Sequence, residues 1–129
     1  MADCCSGSNV LFYACSGGSN VAEAADLAAR KLAAEGLGKM FCLAGLGAGI
    51  HSMIKTAAEA DFNIVIDGCP TKCAQKIFEK CGLRNTEVVC VSDLGIKKSS
   101  GVKATADEVN CVVAAVKEIL QKKWSEGVQ

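Results

Sequence analysis

Four short apolar runs, each followed by a stretch of helical periodicity, constrain this chain more than any other feature. The runs fall at residues 10–14, 39–43, 62–67 and 87–91. Strands alternating with helices in this way make consecutive βαβ units, whose right-handed crossovers place helices on both faces of a parallel sheet. The expected architecture is a single-domain α/β three-layer sandwich with a four-stranded parallel sheet in the order 2-1-3-4. The fourth run is continuously apolar, as strands covered on both faces are.

Local signals bound the helices. Asn20 is the expected cap of the first helix, with Glu23 reaching back, and Gly36 ends it. A glycine-rich turn, Gly45-Leu46-Gly47-Ala48-Gly49, leads into a helix with Ile50, Met53, Ile54 and Ala57 on one face. Pro70 suits the first position of a third helix, striped by Ala74, Ile77, Phe78 and Cys81 and closed by Gly82. After a polar loop at 92–103, Thr105 and Glu108 form a capping box. Val109, Val112, Val113, Val116, Ile119 and Leu120 then repeat along one helical face. No linker or repeat interrupts residues 1–129, so one domain is expected.

Composition narrows the function classes. Fourteen Lys plus Arg balance fourteen Asp plus Glu, which leaves no basic footprint for nucleic acid or acidic lipid. Half of the 129 residues are apolar, and a domain of this size buries about two-thirds of its unfolded surface, so disulfides are not needed. Nine cysteines nevertheless occur, an odd number and about 7% of the chain, just short of a secreted disulfide scaffold. Asp3 and the short run at 10–14 do not make an export signal. The uncharged stretch 4–22 is too rich in Ser, Gly and Asn for a lipid-facing helix. A cytoplasmic protein without a membrane partner is expected, where thiols stay reduced and cysteine richness points to metal or redox chemistry. Balanced charge and the lack of an apolar stripe suggest a monomer.

In doubly wound sheets ligands bind beyond the carboxyl ends of the strands, where the strand order reverses. Cys15 follows strand one, Cys42 lies near the end of strand two, Cys69 follows strand three, and Cys73 is expected one turn along the same helix. Neighbouring strands are about 4.8 Å apart, while tetrahedral zinc with sulfur bonds of about 2.3 Å needs sulfurs about 3.8 Å apart. The four thiolates therefore form a candidate metal site, with Asp67 a candidate support that orders the loop or accepts backbone N–H groups. Helix N-termini beside Cys69 and Cys15 should lower both thiol pKa values. Cys81 and Cys90 read as small core residues and Cys111 as a partly exposed bystander, while Cys4 and Cys5 are expected in a frayed tail as spectators or extra donors. His51, the single histidine, reads as a solvent-facing helix residue. Lys72, Lys76, Lys97 and Lys98 add positive charge if they face the rim, although solvated positions are the commoner fate.

Spacing excludes several chemistries. No Cys-x-x-Cys pair exists for a thioredoxin motif or zinc knuckle. Lys76 stands where an iron–sulfur run would continue. No Arg follows Cys15, Cys42 or Cys69 closely enough for a phosphatase loop. The Gly45, Gly47, Gly49 turn lacks dinucleotide spacing and reads as close backbone packing or an anion nest.

Three ordered motifs resemble the DGC-domain family, small cysteine-rich domains associated with zinc binding. They are Tyr13-Ala14-Cys15-Ser16-Gly17-Gly18-Ser19-Asn20-Val21, Cys42-Leu43-Ala44-Gly45-Leu46-Gly47 and Asp67-Gly68-Cys69-Pro70-Thr71-Lys72-Cys73-Ala74. The resemblance implies metal coordination through cysteines, here Cys15, Cys42, Cys69 and Cys73, without tying the chain to a reaction. Relatives often read Cys-Ser-Gly-Cys-Ser-Asn in the first motif, and this chain has Gly18 at the second cysteine. The leading expectation is binding of zinc or another soft metal ion. The alternative is a thiol enzyme for redox, sulfur or arsenic chemistry using Cys69 or Cys15, and a third reading is an interaction module with core cysteines.

Overall fold

The computed structural model describes residues 9–127; Cys4 and Cys5 lie outside that range. Strands β1 (Val10–Ala14), β2 (Lys39–Met40), β3 (Phe62–Asp67) and β4 (Thr86–Cys90) form one parallel sheet in the order β2-β1-β3-β4. The helices are α1 (Asn20–Ala34), α2 (Leu43–Gly47), α3 (His51–Glu59), α4 (Cys73–Lys80) and α5 (Ala106–Ser125), and a 3-10 turn, Val91–Leu94, follows β4. The expected class and strand order are both present.

Pleating sends alternate residues to opposite faces. Val10, Phe12 and Ala14 share one face with their register partners Phe62, Ile64 and Ile66. That face is covered by Val21, Ala25 and Leu32 of α1 and by Val112, Val116 and Leu120 of α5. Leu11, Tyr13 and Val65 point the other way, onto Leu46, Ala57, Ala74 and Phe78. Tyr13 meets Phe78 edge-on with centroids 4.6 Å apart. The α5 capping box is complete, Thr105 accepting from the Glu108 amide and Glu108 from the Thr105 amide.

Four local expectations are corrected. Ser19, not Asn20, caps α1, accepting from the Ala22 amide, because Asn20 is engaged by a segment far along the chain. Strand β2 has only two residues; Phe41 still donates to Phe12 O at 2.9 Å, after which the chain turns into α2. The glycine-rich segment is therefore partly helical, and a Cβ on Gly45 would collide with Met53 Sδ, the close packing that this glycine permits. Ile50 is exposed rather than facing the sheet. Finally, α4 begins at Cys73 rather than Pro70, for a reason that shapes the site. On the fourth strand, burial is complete only at its carboxyl half, Val89 and Cys90, because β4 is an edge. Among the described residues, no helix is long and apolar enough to cross a membrane.

Candidate functional site

The parallel pairing of β1 with β3 brings their carboxyl ends to one rim. Cys15 continues the ladder, its amide donating to Ile66 O at 3.2 Å, and its Sγ accepts the Gly68 amide at 3.2 Å. Gly68 has to be glycine: an added Cβ would lie 2.9 Å from Ala22 N and 3.0 Å from Val21 C, backbone atoms at the start of α1. That contact seats the loop after β3 against α1.

Beyond Gly68 the chain makes a turn in which Lys72 donates to Cys69 O at 3.0 Å, with Pro70 in the second position. Lys72 then takes a left-handed conformation, φ 54° and ψ 48°. The buried Asp67 carboxylate supplies the cap of α4, Oδ1 accepting Ala74 N at 2.8 Å and Oδ2 accepting Gln75 N at 2.9 Å. A helix beginning at Pro70 would carry these amides past the carboxylate, so Cys69 and Cys73 flank a turn instead of sharing a helix face. Among the described residues, two that are not glycine have positive φ, Ser16 at 46° and Lys72 at 54°. One directly follows Cys15 and the other directly precedes Cys73; such backbone strain clusters at functional sites.

Cys15, Cys69 and Cys73 line a cavity of about 300 Å³ together with Gly18, Lys98 and Ser100. Cys42 is exposed at the head of α2 and does not line it. All seven described cysteines are free thiols. Cys90 is buried and Cys111 exposed, as expected, while Cys81 lies half-buried with Sγ 3.6 Å from Leu46 O. His51 is exposed at the first position of α3. Among the described residues, no three His, Cys, Asp or Glu side chains already converge as a metal-binding group.

The pocket thiols are electrostatically unlike. Burial pushes the Cys15 thiol pKa up, the Gly68 amide opposes this, and negative charge on Asp67, Cys69 and Cys73 raises it further. The Cys69 pKa is lowered, first by the hydroxyl and amide of Thr71 and then by Lys98, whose Nζ is 3.7 Å from Sγ. The expectation of two lowered pKa values therefore holds for Cys69 and is corrected for Cys15, where desolvation outweighs the backbone donor.

Two contributors were not singled out by local pattern. Thr71 acts on Cys69 through the turn. Asn20 pins the segment that carries Lys98: its Nδ2 donates to Lys97 O at 2.9 Å, its Oδ1 accepts Ser99 N at 2.7 Å, and its own amide donates to Ser99 O at 3.2 Å. An Asn directly after a helix cap carries no hint of a partner almost eighty positions away. A larger open cavity of about 560 Å³ lies on the other side of the Gly17–Gly18 turn. Its acidic groups are already engaged, Asp26 with Arg30 at 2.8 Å and with Ser16 at 2.9 Å, and Glu23 with the Ala104 amide at 2.6 Å.

Comparison with known proteins places this geometry in context. Residues 11–116 match the profile of the DGC domain. The chain is 30% identical over 110 residues to the anaerobic and virulence modulator AnvM of Pseudomonas aeruginosa strain PAO1, covering 85% of this chain and 84% of that protein. No solved structure matches.

Proposed function

The chain belongs to the DGC-domain family, and on that premise we propose that it binds a soft metal ion, zinc first, through cysteine thiolates at the rim of the sheet. The observation that carries this reading is the convergence of Cys15, Cys69 and Cys73 on one cavity, close enough that charge on the other two thiols raises the Cys15 pKa. A cation among three such sulfurs removes that penalty on Cys15 and favours the thiolate form of each donor. The donor type fits a soft ion; the arrangement is not yet that of a bound site, so the 69–73 turn and the Cys15 side chain close in on binding.

In this reading Cys15, Cys69 and Cys73 hold the ion, and Asp67 positions Cys73 by capping the helix that begins with it. The Gly68 amide keeps its hydrogen bond to the Cys15 sulfur. Cys42, the fourth donor expected from spacing, stands outside the cavity and joins only if the five-residue α2 moves. With three protein donors a position stays open, which suits exchange or transfer of the ion better than a closed structural site. The reading places the protein in the cytosol, as a monomer, with no role for nucleic acid.

Native mass spectrometry with elemental analysis of protein purified under reducing conditions tests this directly. One equivalent of zinc is expected in the wild type, with loss in Cys69→Ser and Cys73→Ser and retention in Cys42→Ser. Wild-type protein that takes up no added zinc overturns the proposal. A second reading, a reactive-thiol protein, is favoured by Thr71 and Lys98 acting on Cys69. In that case metal-free protein reacts with iodoacetamide chiefly at Cys69, well below the ordinary thiol range.

A further inference from the structure

Cys69 and Cys73 stand on either side of a turn whose backbone fixes the distance between them. Lys72 donates to Cys69 O at 3.0 Å, so residues 69–72 close a β-turn, and Pro70 presets its second position. Thr71 does not have positive φ, so this hydrogen-bonded turn is type I rather than type II. Lys72 follows in the left-handed region, φ 54° and ψ 48°. A type I turn followed by one left-handed residue is the three-residue loop that joins the strands of many hairpins. The residues flanking such a loop face each other with Cα atoms about 5 Å apart, inside the roughly 4.4–6.8 Å that a disulfide spans. With planar peptides this separation depends on the φ and ψ of the three loop residues. It therefore holds here although Cys73 continues into α4 rather than into a strand.

The fold holds both ends of this turn. On one side Gly68 is wedged against the backbone of α1, and on the other the buried Asp67 carboxylate accepts the Ala74 and Gln75 amides. Cys69 and Cys73 are free thiols and line the same cavity of about 300 Å³, which leaves room beside them for a small organic group. The hydroxyl and amide of Thr71 face the Cys69 sulfur, and Lys98 Nζ stands 3.7 Å from it. Cys15, the third thiol on this cavity, comes from the end of β1 and is tied to the Gly68 amide at 3.2 Å.

Deepening the reactive-thiol reading, and needing no metal, we infer that Cys69 and Cys73 form a dithiol–disulfide couple that reduces small organic disulfides. Cys69, its proton given to solvent, attacks one sulfur of the substrate; the substrate S–S bond breaks and the first half leaves as a thiolate that solvent protonates. Cys73 then gives its proton to solvent and attacks Cys69 Sγ, which forms the Cys69–Cys73 bond and expels the second half as a thiolate, again protonated by solvent. Two cysteine thiols are oxidised to one disulfide while one disulfide is reduced to two thiols. Because the reduced turn already has the conformation that the bond requires, Cys73 acts at high effective concentration and resolves the mixed disulfide before an outside thiol does.

The test treats the metal-free, reduced full chain with 2-hydroxyethyl disulfide, quenches with N-ethylmaleimide and digests with trypsin. Trypsin cuts after Lys72, so the peptides carrying Cys69 and Cys73 stay joined only through a disulfide. Wild type is expected to give that joined pair, and Cys73→Ser to stop at a mixed disulfide on Cys69. The turn itself is tested at Lys72, by the resistance of both thiols to N-ethylmaleimide in a buffer of 2-mercaptoethanol and its disulfide. Lys72→Val opposes the left-handed backbone and should lower the equilibrium constant for the Cys69–Cys73 bond by at least about fivefold. Lys72→Gly removes the same charge but suits that backbone, and should form the bond as readily as wild type. A wild-type mixed disulfide that never resolves, a link from Cys69 to Cys15, an unchanged equilibrium in Lys72→Val or an equal loss in Lys72→Gly overturns this inference alone. So does a Cys69 that reacts with iodoacetamide but not with the disulfide, whereas a Cys69 that reacts with neither overturns the reactive-thiol reading as well.

Discussion

Asp67 fixes where Cys73 begins its helix: the carboxylate at the end of β3 accepts the two amides that follow Cys73, at 2.8 and 2.9 Å. The last residue of a central strand thus orients a thiol six residues further along, and links sheet geometry to pocket geometry. Asp67 is 1% exposed and its contact with the Ala74 amide is buried, so water does not replace it there. Asp67→Ala should destabilise the fold by about 1–3 kcal/mol, the range for losing a helix cap and stranding buried donors. Urea unfolding measures this, and a loss under about 0.5 kcal/mol would show that α4 is capped by other means. In the zinc-loaded protein the same variant should bind the ion more weakly, because Cys73 is freed from its position.

Two neighbouring thiols should titrate in opposite senses. With Cys69 lowered by Thr71 and Lys98, and Cys15 raised chiefly by burial, residue-resolved alkylation of metal-free protein should modify Cys69 at lower pH than Cys15. The signs for stability differ as well. The lowered native pKa of Cys69 favours the folded state once pH exceeds the unfolded thiol value, and this contribution is lost as pH falls through the lower native one. The raised native pKa of Cys15 means that the unfolded chain loses its proton first, so stability declines as pH climbs past the ordinary thiol range. Buried Tyr13, whose phenol is also pushed up by burial, adds to that decline at higher pH. A urea midpoint that rises through the alkaline range would contradict the Cys15 and Tyr13 assignments.

Gly68 is the contact between the loop after β3 and α1. Gly68→Ala would bring Cβ within 3.0 Å of Ala22 N, and rigid backbone on both sides offers no side chain to move away. Overpacking of this kind destabilises by about 1–3 kcal/mol. The shift should also weaken the Gly68 amide contact with Cys15 Sγ, so Cys15 alkylation should quicken in the same variant. A wild-type midpoint together with wild-type Cys15 labelling would mean that α1 yields at this point.

What the sequence reveals and what it hides divide along the range of the interactions. The stripe from Val112 to Leu120 and the Thr105–Glu108 box are local, and the structure shows them as the pattern predicts. The four strands and their order follow from alternation and crossover handedness. Ser19 and Asn20 are both good caps, and only the distant strap at Ser99 decides between them, by recruiting Asn20. The start of α4 depends on a carboxylate that folds back from β3, so Pro70 misleads although it is well suited to a first turn. At the candidate site, Cys15 and Cys69 follow the ends of β1 and β3 and line one cavity with Cys73, which begins α4 instead of sharing a helix face with Cys69. The placement of Cys42 outside the cavity is set by the two-residue length of β2, which apolar character at 39–43 does not reveal.

Gly18 supplies the sharpest test of the open position. It lines the cavity with the three cysteines, a Cβ built on it meets nothing within 4 Å, and its φ is not positive, so a side chain fits without steric or backbone strain. Gly18→Cys should therefore leave stability within about 0.5 kcal/mol of wild type in the metal-free, reduced protein. With a fourth thiolate available from the chain itself, zinc should bind at least about tenfold more tightly in competition with a chromophoric chelator, since an intramolecular donor replaces one drawn from solution. Unchanged zinc affinity would place the ion away from Gly18.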